Sequence, residues 1–87
     1  MSIILGAPIE GAPRPSFHAS IDGQKVIVEL DSGAIFRLAE HASPAELAAV
    51  LDTKRDQISE AALRLVREGF VTRHDHGVEI LVTALDL

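Results

Sequence analysis

ELAAVLDTKRDQISEAALRLVREGFV, residues 46–71, is the stretch on which the fold turns. Its apolar residues recur at helical spacing. Leu47, Val50 and Leu51 form one stripe, and Ile58, Ala62, Leu65 and Val66 (i, i+4, i+7, i+8) form a second. Asp52 and Thr53 break the pattern between them. Just upstream, Ser43 suits an N-cap, Pro44 the first helical position and Glu46 the reciprocal partner of a capping box. Thr53-x-x-Asp56 predicts a second capping box that opens the next helix. Glu60, Arg64 and Glu68 fall on its outer side as an i, i+4 ladder, and Gly69 ends it.

Working outward, residues 70–87, FVTRHDHGVEILVTALDL, hold two β-rich runs around His74-Asp75-His76-Gly77, which predicts a hairpin. On the N-terminal side, Asp22-Gly23 and Asp31-Ser32-Gly33 are turn signals. Between them Lys25–Leu30 is rich in β-branched residues, and Ala34–Leu38 can pair back on it. A helix from Gly33 to His41, capped by Asp31 or Ser32, is the competing reading; the hairpin uses both turn signals. Residues 1–16 carry Pro8, Pro13 and Pro15 with Gly6 and Gly11, a density that favours an extended or disordered arm, to which Ile3–Leu5 can add a short strand. The expected organisation is thus an arm (1–16) and one domain (17–87) of α+β class: an N-terminal β-hairpin, two helices and a C-terminal β-hairpin.

A chain of 87 residues fits one domain, and one this small buries only about 60% of the surface its unfolded chain exposes. The apolar fraction of 47% suffices for a core, in which Phe17, Phe36 and Phe70 are all expected. Without Trp or Tyr, the chain lacks the stacking platforms typical of single-strand binders. Without Cys, disulfides, thiolate catalysis and zinc-thiolate sites are excluded. The start has no basic segment followed by a long apolar one, and no run approaches the roughly 20 apolar residues of a membrane span, so a soluble, cytoplasmic protein is expected. The net charge is −5, yet residues 51–74 hold five of the eight basic side chains and only four of the thirteen acidic ones, an asymmetry that hints at a binding face.

The residues from Glu46 to Val71 resemble the second and third helices of a winged helix-turn-helix domain. Glu46, Leu47, Ala48, Leu51, Ile58, Leu65, Gly69, Phe70 and Val71 match that pattern without a gap. Residues 70–85 then resemble the wing, so the likeness extends over residues 43–85. Residues 21–38 are similar, over a short span, to the strand-turn-strand opening of the DUF2442 and PqqD-like families. The first resemblance implies a small non-enzymatic regulator that binds double-stranded DNA, as a homodimer with two half-sites. The contacts it implies are Lys54, Arg55, Gln57, Ser59 and Arg64 on the third helix and Arg73, His74 and His76 at the wing. On the same helix Asp56 and Glu60 oppose a phosphate backbone, and Leu63 suits a protein contact. The rival expectation is therefore an interaction module whose Asp56, Glu60 and Leu63 meet a protein or peptide partner.

Other chemistry finds little support. His74 and His76 share a strand face but have no third ligand near in sequence, so no metal is expected. The serines have no nucleophile context, and the prolines of GAPIEGAP (residues 6–13) lack the N–H donors of a phosphate cradle. Neither an enzyme nor a cofactor is expected.

Overall fold

The computed structural model describes residues 2–75 and 77–87. The chain runs β1 (Ile3–Pro8), β2 (Ser16–Ile21), β3 (Gln24–Leu30), α1 (Ser32–Leu38), α2 (Leu47–Thr53), α3 (Arg55–Arg67), β4 (Thr72–His74), β5 (Gly77–Val82) and a 3-10 turn (Ala84–Asp86). The strands form one sheet in the order β1-β2-β3-β5-β4, antiparallel except for the central β3–β5 pair, which is parallel. The α+β class is as expected. The layout differs: three strands come first, then three helices, then two strands.

The difference lies at residues 34–38, which are helix and not strand. Asp22 (φ 49) and Gly23 (φ 86) both occupy the left-handed region, so a two-residue turn joins Ile21 to Gln24 and pairs β3 with β2. The other edge of β3 is taken by β5. No edge is left for residues 34–38. As in the competing helical reading, the Asp31 carboxylate accepts a hydrogen bond from Ala34 N–H at 2.8 Å and caps α1, which ends at Leu38 and not at His41. Ala34 and Leu38, at i and i+4, then both enter the core.

Both expected capping boxes are also altered. Ser43 Oγ donates to Glu46 Oε1 at 2.9 Å, but in a turn that precedes the helix; α2 begins at Leu47 with no side-chain cap. Thr53 belongs to the end of α2, where its hydroxyl donates to the Val50 carbonyl at 2.6 Å, and α3 follows after Lys54 alone. The end of α3 is as expected. Gly69 (φ 81) lets its own N–H reach the Val66 carbonyl and the Phe70 N–H reach that of Leu65, so the last carbonyls are satisfied.

One face of the sheet builds the core. Phe17, Ala19 and Ile21 from β2, Val26, Val28 and Leu30 from β3, and Val78, Ile80 and Val82 from β5 meet Leu51, Ile58, Ala61, Ala62 and Leu65 from the helices. α3 lies across that face, packed on β5 and β1. Phe17 is buried as expected, whereas Phe36 (64% exposed) and Phe70 (66% exposed) are not core residues. No helix among the described residues is long and apolar enough to cross a membrane.

Candidate interaction surface

α3 turns Ile58, Ala61, Ala62 and Leu65 to the sheet. At 100° per residue, the side directly opposite carries Asp56, Glu60, Leu63 and Arg67, at i, i+4, i+7 and i+11. Asp56, Glu60 and Arg67 are exposed and Leu63 is half-buried. Gln57, exposed, and Ser59, half-buried, flank this line on either side. The expected i, i+4 ladder does not form: among the described residues no ion pair joins Arg64 to Glu60 or Glu68. The Arg64 guanidinium reaches instead to the Asp86 carbonyl in the C-terminal 3-10 turn.

Arg55 is likewise committed within the fold. Its guanidinium donates to the carbonyls of Leu5 and, at 2.9 Å, Gly6, where the β1–β2 register shifts between Leu5 and Pro8. It lies 3.7 Å from Asp52 and 5.9 Å from the centre of the Phe17 ring. A guanidinium with several donors suits this site, because a bulge on an edge strand leaves successive carbonyls unpaired. Lys54, half-buried, joins the two helices next to it.

The wing residues sit elsewhere. Arg73 and His74 are exposed on β4, at the opposite edge of the sheet from the β1 carbonyls that hold Arg55. Four strand spacings, about 19 Å, separate those edges. His74 Nε2 lies 3.3 Å from the Glu79 carboxylate on the neighbouring strand. His76 lies outside the described residues. Among the described residues no group of three His, Asp or Glu side chains is placed to hold a metal.

The fold therefore gathers Asp56, Glu60, Leu63, Gln57 and Arg64 on and beside the outer side of α3, and separates Lys54 and Arg55 from Arg73 and His74. A second surface escaped the sequence reading. The face of the sheet away from the helices bears Ile4 (70% exposed), His18, Lys25, Ile27, Glu29, Glu79 and Leu81 (42% exposed). Its signal is the strict alternation in β3, where Lys25, Ile27 and Glu29 interleave with the buried Val26, Val28 and Leu30. Comparison with known families, with characterised proteins and with solved structures gives no match.

Proposed function

We propose that this protein is a small non-enzymatic interaction module that binds a protein partner along the outer side of α3. The observation that carries the reading is the Asp56–Glu60–Leu63 line, combined with the engagement of Arg55 and Arg64 by backbone carbonyls. Two carboxylates one turn apart beside a leucine complement a partner segment that is basic and apolar. A phosphate backbone calls for the reverse, a continuous cationic track. In a pull-down, wild-type protein should retain a partner that Glu60→Lys loses and that Leu63→Ala weakens.

A second reading is helix-turn-helix binding to double-stranded DNA. It is favoured by α1, which supplies a helix ahead of the 47–53 and 55–67 pair, with a strand hairpin after them, as in winged helix-turn-helix domains. Lys54 and Arg73, not Arg55, are the residues to reverse in testing it, because Arg55 helps hold β1. The measurement is anisotropy of a labelled mixed-sequence duplex, titrated from low to physiological salt. Binding with a steep salt slope that Lys54→Glu with Arg73→Glu flattens supports this reading, whereas a duplex left free even at low salt leaves the protein-partner reading.

A further inference from the structure

The open face of the sheet has an arrangement that answers itself. The strand registers place its side chains in rows. One row runs Ile4, Ser20, Lys25, Gly77 and His74 from β1 to β4; the next holds His18, Ile27, Glu79 and Thr72; the third holds Ser16, Glu29 and Leu81. Lys25 and Glu29 stand on the same strand and face, four residues or about 13 Å apart, too far to pair with each other. Among the described residues neither makes an ion pair. Ile27 lies midway between them.

We propose that this face binds the same face of a second copy of the chain, forming a two-fold homodimer. Put the axis in the interface, across the strands and through Ile27. Each β3 then lies antiparallel over the other, Lys25 over the partner's Glu29 and Glu29 over the partner's Lys25. Ile27 meets its own counterpart at the centre. Leu81 falls over the partner's Gly77, where the absence of a side chain leaves room for it. Gly77, Gly6, Ile4, His18 and Ile27 line a groove of about 560 Å³, which accepts the incoming apolar groups. Glu79, beside Ile27 in register, lies on the axis and faces the partner's Glu79; His74 of the same copy, 3.3 Å from each carboxylate, offsets that contact when it is protonated.

The size suits a weak dimer. The five strands, three to seven residues long and about 4.8 Å apart, cover about 450 Å² per copy, so stacking buries about 900 Å² in total, the class of weak, concentration-dependent interfaces. The axis along the strands, by contrast, sets Lys25 on Lys25 and Glu29 on Glu29. The two Lys25–Glu29 cross-pairs thus outweigh the single Glu79 contact and favour the axis across the strands. This surface is separate from the outer side of α3, so the outcome here and the outcome for the proposed function are independent.

Sedimentation equilibrium of the full chain tests the proposal, with circular dichroism to check folding. Wild type should be a concentration-dependent dimer. Lys25→Glu and Glu29→Lys should each weaken association at least about tenfold, because symmetry repeats the like-charge contact. Mixing the K25E chain with the E29K chain should restore dimers, since both cross-pairs are then opposite in sign. A wild type monomeric at every soluble concentration overturns the proposal and leaves the face to another occupant. Folded single variants that dimerise as wild type does, or a mixture that stays monomeric, overturn it as well.

Discussion

The two faces of β3 differ in every respect that matters to this fold. Val26, Val28 and Leu30 are buried against helices, while Lys25, Ile27 and Glu29 one residue away look outward from the same strand. The contrast shows that a sheet of five strands in 87 residues has enough helix to cover only one side. Stability is concentrated on the covered side, and the uncovered side is open to recognition.

The sharpest way to break that contrast is a matched pair. Val28→Asp should cost about 4 kcal/mol or more, because it leaves an unpaired carboxylate in the core, whereas Ile27→Asp should change monomer stability by less than about 1 kcal/mol. Urea denaturation of both variants measures this; equal losses would mean that the open face is covered in the folded chain. Arg55→Ala should come next, at about 1–3 kcal/mol, by stranding the Leu5 and Gly6 carbonyls. Hydrogen exchange should then rise in β1 before it rises in β3. If protection in β1 is unchanged, the guanidinium is not what holds that strand.

Gly69→Ala should cost about 1–2 kcal/mol through the positive φ at the end of α3, and Asp31→Ala about 1 kcal/mol through the lost cap of α1. Thermal melts compare the two, and they also ask whether the short α1 is as firmly fixed as the long α3. The smallest effect on stability should come from Leu63→Ala, below about 1 kcal/mol. The same variant should nevertheless weaken partner retention, and it is this separation of folding from binding that distinguishes a contact residue from a core residue. A Leu63→Ala protein that melts early and binds normally would count against the proposed surface.

What the sequence made legible follows from how local each signal is. The core stripe of α3 and its Gly69 terminus depend on spacing within one helix, and both were predictable. Residues 34–38 were not, because Asp31, Ser32 and Gly33 serve a turn and a helix start equally well. The choice was made by β2 and β5, which take both edges of β3. Arg55 illustrates the same limit for the surface. Its spacing put it on a recognition helix, but its guanidinium is held by carbonyls some fifty positions earlier in the chain. Nothing in the neighbourhood of Arg55 announces them. The line Asp56, Glu60 and Leu63 could be read because helix geometry alone sets it.

The parallel pairing of β3 with β5 has a consequence for how the chain assembles. The middle of the sheet joins residues 26–30 to residues 78–82, so it is completed only when segments about fifty residues apart have met. Until then the β2–β3 hairpin is a ribbon with an exposed edge, and ordering the intervening loop weighs against closure. During synthesis the ribosome delivers that closing strand after all three helices. The protein is therefore suited to be divided: a fragment ending before residue 77 and a peptide carrying Gly77–Val82 should regain native structure only when combined, making strand insertion itself the switch.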